Sequence, residues 1–534
     1  MGRTISLAAV GLLAATASAF PSLNTKRQDN TTEMVSDFAQ ITPSKDINWV
    51  PCYESFLCMY LTVPLDYKVP DVGNTDIAFI KYVTGGNPSA PDILFNPGGP
   101  GGSGVGFLKG SGQGLTSILG TEYNFVSFDP RGVNNTGPTL TCATSPEARD
   151  LYLATRLKPS APFPEHWAQS LALGDYCTEL NANTTAKYSG TSAVVQDMMH
   201  FTELTASTNG QAPEEALINY FGISYGTLLG QTLASMYPDR LGRIILDANV
   251  YGARYYTGFD ASSVEDGDHA FNFFFSFCYE AGSELCPLAA NATCAGDVET
   301  RYRALLQTLD DEPVIRKGQP TPGFVTRADL ESYAYNAMYE PTAKFGPLAM
   351  IAAGLEQGDT SAYDLLAKPP FTNDLLESLL LITAIDNAGN FILKNYTDYL
   401  SAITQLQENS FYGWRYYATG NTLIVNHLNI LPPESQVFKG FERTNTSTPI
   451  LFIGTTGDPV TPLSSAFKMS QYFESSKVLT VDAPGHSFTG ASSKCAIEAV
   501  QAYIGTGTLP EVGIICKTDL LPASYFPKLP AAPQ

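Results

Sequence analysis

One stretch constrains the fold more than any other. Leu217-Ile218-Asn219-Tyr220-Phe221 is a short, mostly apolar run. It enters Gly222-Ile223-Ser224-Tyr225-Gly226, and Thr227-Leu228-Leu229-Gly230-Gln231-Thr232-Leu233-Ala234 continues with helical composition. The pattern predicts strand, sharp turn and helix, with Ser224 in a strained conformation that needs glycines two positions away on either side. A serine so placed lifts its hydroxyl above the carboxyl edge of a parallel sheet, where a base can take its proton. The competing reading is a serine that merely closes a tight turn.

Other strand-like runs fall at 58–64, 76–83, 92–96, 123–129, 243–247, 449–457 and 477–481, the last in the series, with helical text such as 191–205 between several of them. This alternation predicts an α/β fold, a mostly parallel central sheet with helices on both faces. From Tyr251 to Thr448 the text is helical instead, at 265–281, 297–309, 327–339, 342–357 and 375–385. The expected division is therefore 28–250 for the N-terminal part of the core, 251–448 for a helical cap and 449–534 for the C-terminal part of the core. The stripe Phe271, Phe273, Phe274, Phe275 and Phe277 reads as cap core rather than substrate pocket.

The strand at 92–96 runs into Asn96-Pro97-Gly98-Gly99-Pro100-Gly101-Gly102-Ser103-Gly104. Glycines let backbone N–H groups approach a substrate oxygen, so Gly98 or Gly99, with the N–H of Tyr225, is expected to form an oxyanion hole. A phosphate loop would end in Gly-Lys-Ser/Thr, which is missing here. A floppy linker is disfavoured by the two prolines. Asp458 lies just past the apolar run 450–457, and Gly485-His486-Ser487 follows the run 477–481. Of the histidines at 166, 200, 269, 427 and 486, only His486 sits in such a loop. Ser224, Asp458 and His486 are thus expected to act as nucleophile, orienting acid and base. Asp247, at a strand end, and Asp482, near His486, are rivals for the acid.

The 534 residues are 44% hydrophobic, enough for a large core, and the net charge is 31 − 52 = −21, which argues against nucleic acid and anionic membranes as partners. Arg3, an apolar run and Ala17-Ser18-Ala19 read as a signal peptide over 1–19 and predict a secreted protein. Lys26-Arg27 marks 20–27 as a short propeptide, with the mature chain starting near Gln28. Sequons at Asn30, Asn134, Asn183, Asn291, Asn395 and Asn445 are glycosylation candidates. Nine cysteines in an exported chain favour disulfides. Cys52 with Cys58, Cys142 with Cys177, Cys278 with Cys286, and Cys495 with Cys516 are plausible pairs, leaving Cys294, although sequence alone does not fix the connectivity. Five histidines and no Cys-x-x-Cys pair disfavour a metal site, and no motif demands a cofactor.

Taken together, Asn-Pro-Gly-Gly-Pro-Gly-Gly-Ser-Gly, Asp129-Pro130-Arg131-Gly132, Gly-Ile-Ser-Tyr-Gly-Thr, Gly-Asp-Pro-Val-Thr-Pro and Gly-His-Ser resemble the secreted tripeptidyl/prolyl aminopeptidase group of S33 serine peptidases, within the α/β-hydrolase superfamily. The resemblance covers the core and the C-terminal part from about residue 430; the cap matches loosely. Pro97 stands where the family often has His in its oxyanion motif, and Asn134 replaces a glycine of the Asp-x-Arg-Gly motif. The resemblance implies exopeptidase action at free N-termini, with acidic cap residues holding the substrate ammonium. Asp386 is a candidate for that role, and an ordinary helix cap is its alternative. The substrate is expected to be a peptide or a small acyl compound, and an esterase or amidase using the same triad is the alternative function. A catalytically dead binding protein on this fold is disfavoured by the intact Ser, Asp and His.

Overall fold

Among the residues of the computed structural model that can be described (34–154, 161–320, 322–367, 373–390, 393–419 and 423–527), ten strands form one sheet. The expected signal peptide, the propeptide and Asn30 lie outside the described residues. In chain order the strands are β1 (Val50–Cys52), β2 (Phe56–Pro64), β3 (Asn74–Tyr82), β4 (Asp92–Asn96), β5 (Asn124–Phe128), β6 (Ile218–Ile223) and β7 (Leu241–Asp247). They continue with β8 (Val314–Ile315), β9 (Phe324–Val325), β10 (Leu451–Gly457), β11 (Lys477–Pro484) and β12 (Ile515–Lys517). The large sheet runs β1-β2-β3-β5-β4-β6-β7-β10-β11-β12, antiparallel from β1 through the β3–β5 pair and parallel from β5 to β12. Strands β8 and β9 pair separately as a hairpin.

Successive side chains of a strand point to opposite faces, and here both faces are covered. Leu94, Tyr220, Ile244 and Phe452 join the core on one face, with the helices Thr191–Thr208 and Tyr225–Met236. Their neighbours Phe95, Phe221, Ile245 and Ile453 join the core on the other face, with the helices Gly104–Leu119 and Lys494–Thr506. The strand at 477–481 is not the last. Ile515–Lys517 adds a parallel edge strand beside it, held next to the helix Lys494–Thr506 by the Cys495–Cys516 disulfide. Three residues with two exposed side chains carry too little pattern to read as a strand.

The Asp129-Pro130-Arg131-Gly132 motif is a structural clamp. Arg131 is fully buried and donates from Nε and Nη2 to Asp197 at 2.7 Å each, and to the carbonyls of Pro64, Leu65 and Tyr188. Asp129 accepts from Ser103 Oγ, from the N–H of Val105, and from Asn134 and Asn135. It thereby fixes the exit of the glycine-rich loop at the start of the helix Gly104–Leu119.

Among the described residues between β7 and β10, the regular structure is helical apart from the small hairpin, with helices at Gly267–Ala281, Ala295–Asp311, Arg327–Tyr339, Pro341–Glu356, Asn373–Asn387 and Tyr396–Asn409. Phe271, Phe274 and Phe275 are buried with Tyr302 and Phe345, while Phe273 and Phe277 are half-buried at the margin of that core. The packing of this insertion is not confined to residues 251–448. Tyr525 and Phe526, near the chain's end, are buried in the same cluster. Trp167, from the helix Phe163–Asn181, packs on Tyr399 and His427. Leu380, Leu381 and Ile385 of the helix Asn373–Asn387 join the core beneath the sheet.

The disulfides formed are Cys52–Cys58, Cys142–Cys177, Cys278–Cys286 and Cys495–Cys516, and Cys294 is exposed and free. Asn134, Asn183, Asn291, Asn395 and Asn445 are exposed. Among the described residues, no helix is long and apolar enough to cross a membrane, and no cluster of metal-ligating side chains occurs.

Replacing Arg131 with Ala leaves Asp197 buried without its charged partner, with the Tyr67 hydroxyl still donating to it. We expect a loss of about 3–5 kcal/mol of stability, read as a lower denaturant midpoint.

Candidate active site

The site is built where β4 and β6, adjacent at the sheet's centre, release their loops. Their register puts Asn96 opposite Gly222, so the glycine-rich loop and the Ser224 turn leave the sheet side by side. Ser224 has φ 58° and ψ −125°, the strained turn expected of it. A Cβ on Gly222 would lie 2.3 Å from the carbonyl oxygen of Gly226, and one on Gly226 would lie 2.4 Å from that of Asn96. Glycine is therefore required at both flanks. The turn is held by Ser224 N–H donating to the carbonyl of Asp247 (3.0 Å), and by Thr227, whose N–H and hydroxyl donate to the carbonyl of Ser224 (2.8 and 2.6 Å).

His486 follows β11, and its Nδ1 lies 2.8 Å from Asp458 Oδ2. Asp458 is buried and accepts three further bonds, from the N–H groups of Val460 and Thr461 and from Thr461 Oγ1 (2.7 Å). With its proton given to Asp458, Thr461 Oγ1 can only accept from His486 Nδ1, 3.2 Å away. Both contacts call for a proton on Nδ1, which leaves Nε2 as the free basic lone pair. Burial pulls the imidazole pKa down, but the charge and hydrogen bond of Asp458 outweigh it, and the pKa is raised above 6.5.

The two rival acids sit elsewhere. Asp482 accepts from Thr456 Oγ1 at 3.0 Å. Asp247 accepts from Ser487 Oγ and from the N–H of Phe488, so it holds the turn after His486 rather than the imidazole. Burial pushes its carboxyl up to about 7 against those bonds.

The two candidate loop donors are not equivalent. Gly98 N–H donates to Asn96 Oδ1 at 2.9 Å, so it is already engaged. Among the described residues no hydrogen bond is made by the N–H of Gly99 or of Tyr225. Gly98 instead provides close approach, since a Cβ there would lie 2.5 Å from the carbonyl oxygen of Ile223.

Ser224, His486, Gly98, Gly99 and Tyr225 line one cavity of about 390 Å³. The insertion contributes an aromatic wall, including Tyr255, Tyr339 and Tyr417. Asp260 is the one carboxylate among the described lining residues, which include no Lys or Arg. Its Oδ1 accepts from the N–H and hydroxyl of Ser262, and burial raises its pKa. Sequence reasoning missed Asp260 because Asp260-Ala261-Ser262 reads as a turn cap, which it also is. Asp386 is not among the lining residues; Thr191 and Tyr255 occupy its oxygens.

Residues 430–516 match the family model described as TAP-like protein. Across most of its length the chain is similar to the tripeptidyl aminopeptidase of Streptomyces coelicolor, 26% identical over 505 residues that cover 89% of this chain and 87% of the relative. The chain resembles the tripeptidyl aminopeptidases. This hydrolase is also similar to the serine protease Hip1 of Mycobacterium tuberculosis, 25% identical over 88% of this chain and 91% of the relative. A protein named carboxylesterase B from the same organism is 26% identical over 86% of each chain.

If Ser224 and His486 act as one unit, Ser224→Ala and His486→Ala should each cost on the order of 10⁴ in turnover, and the double variant little more. Folding, checked by circular dichroism, should be unchanged. If His486 is the base it must be neutral to work, so activity should be lost as pH falls through the raised His486 value. The acid limb of kcat/KM should therefore lie above pH 6.5 and move down in Asp458→Asn.

Proposed function

We propose that this hydrolase is a secreted serine exopeptidase that cleaves short pieces from the free amino end of peptides. The observation that carries the reading is the charge of the cavity. Ser224 and His486 share it with one carboxylate, Asp260, and with no cation among the described lining residues. Such a chamber suits an ammonium and disfavours the carboxyl end of a peptide. The relatives named tripeptidyl aminopeptidase and serine protease support the same substrate class.

In this reading Ser224 Oγ attacks the scissile carbonyl while His486 Nε2 takes its proton, and Asp458 stabilises the imidazolium. The carbonyl oxygen becomes an oxyanion, received by the N–H groups of Gly99 and Tyr225. Collapse breaks the C–N bond, and His486 returns the proton to the leaving amine. An acyl-enzyme carrying the amino-terminal fragment remains, and water activated by the same histidine releases it. Residues 251–448 act as a cap that leaves a restricted entrance, so chain ends enter and folded segments do not. Four disulfides and the exposed sequons are in keeping with an extracellular protein.

A secreted esterase or amidase is the second reading, favoured by the similarity to carboxylesterase B. Peptide anilides with free and acetylated amino ends, tested beside simple p-nitrophenyl esters, separate the two. The exopeptidase should prefer the free amine by about tenfold to a thousandfold in kcat/KM. Asp260→Asn should shrink that preference severalfold without abolishing turnover. Equal rates on free and blocked peptides, with strong ester turnover, would favour the esterase.

A further inference from the structure

Asp386, which the sequence offers as a contact for the substrate amine, has a different place in the fold. It lies near the end of the helix Asn373–Asn387, one turn beyond Thr383, which lines the cavity. Its Oδ1 accepts the N–H of Thr191 at 2.6 Å, and its Oδ2 lies 2.6 Å from Thr191 Oγ1 and 3.1 Å from the hydroxyl of Tyr255. Thr191 Oγ1 also lies 2.6 Å from the hydroxyl of Tyr225. Thr191 opens the helix Thr191–Thr208, whose N-cap is Gly190 and supplies no side-chain bond. Asp386 therefore caps that helix from another element, where the orphan N–H and the helix dipole favour a carboxylate.

The hydroxyls have one consistent direction around an ionised acid. Tyr225 donates to Thr191, Thr191 donates to Asp386, and Tyr255 donates to Asp386. The chain thus joins four elements at one point: the helix Asn373–Asn387, the helix Thr191–Thr208, the segment Gly252–Tyr255 and the elbow helix Tyr225–Met236. Two of its members, Tyr225 and Tyr255, line the cavity. Burial pushes the Asp386 carboxyl up to about 7, opposed by the bonds from Thr191 and Tyr255.

We propose that Asp386 is a positioning residue that, through Thr191, holds Tyr225 where its backbone N–H meets the oxyanion, and that directly holds the Tyr255 wall. It does not bind the substrate amine. The inference rests on Ser224 being the nucleophile. Its physical basis is that an oxyanion donor stabilises the transition state only when it is held in place beforehand, so a small shift of Tyr225 lowers kcat more than it weakens binding.

The test measures kcat and KM for Asp386→Ala, Asp386→Asn and Thr191→Val on the free and acetylated forms of one peptide anilide. Fluorophosphonate labelling of wild type and Ser224→Ala runs beside it. Asp386→Ala should lower kcat about tenfold to a hundredfold on both forms, with the free-to-acetylated ratio of kcat/KM kept within about twofold. Asp386→Asn can keep the bridge to Thr191 with reversed donors and should recover part of the loss. Thr191→Val cuts the link to Tyr225 while leaving Asp386 in place, and should lower kcat about fivefold or more, so the idea stays testable if Asp386→Ala does not fold. The proposal is overturned if these variants fold with kcat within twofold of wild type, or if Asp386→Ala narrows the free-to-acetylated ratio as Asp260→Asn does. Labelling that persists in Ser224→Ala would instead overturn the assignment of the nucleophile on which the proposal rests.

Discussion

The pairing of β4 with β6 at the centre of the sheet is the contact on which the site depends. Leu94, Phe95 and Asn96 lie in register with Tyr220, Phe221 and Gly222, and the two loops leave the sheet together. This is also where the strand order turns back, since β5 lies on one side of β4 and β6 on the other, and such a switch point opens a crevice at the carboxyl ends of parallel strands. Backbone approaches backbone so closely there that a Cβ on Gly98 would sit 2.5 Å from the Ile223 carbonyl oxygen and 2.8 Å from Ser224 Cβ. Neither loop could shift alone without breaking that fit, so the relative position of Ser224 and Gly99 is a property of the sheet.

Buried carboxylates then fix the surrounding loops. Asp129 receives the side chain of Ser103 and the N–H of Val105 at the exit of the glycine-rich loop. Asp247 receives Ser487 and Phe488 just after His486. Asp458 receives Val460 and Thr461 as well as the imidazole. Each acid stands at or just past the end of a strand, β5, β7 or β10, and each gathers N–H and hydroxyl donors that would otherwise be orphaned. Burying a carboxylate costs free energy unless such donors are present. For Asp247 burial still raises the pKa. Dipoles held in this way before a reaction need not reorganise during it.

The parts of the molecule set by local sequence were legible. The glycines around Ser224 declare the elbow because no other residue fits between Gly222, Gly226 and Asn96. The strands flanking the site are apolar enough to read, since parallel central strands are buried on both faces. The disulfide pairs read correctly are close in sequence, with separations from 6 to 35 residues. What long-range packing decides was not legible. The strand Ile515–Lys517 exists because β11 offers it an edge, and Tyr525 and Phe526 are buried because the insertion leaves room for them. Asp260 and Asp386 look alike as single acidic residues in helical text. Only the tertiary structure brings one to the cavity wall and turns the other toward Thr191. Which of Gly98 and Gly99 keeps its N–H unengaged the sequence could not tell, because that depends on where the Asn96 side chain turns.

A crystal structure of the protein with a short free-amine peptidyl phosphonate, which mimics the tetrahedral intermediate, tests these assignments directly. Phosphorus is expected on Ser224 Oγ, with a phosphonyl oxygen within hydrogen-bond distance of the N–H groups of Gly99 and Tyr225 and the ammonium against Asp260. Phosphorus on another residue, or an ammonium turned away from Asp260 toward solvent, would contradict those assignments.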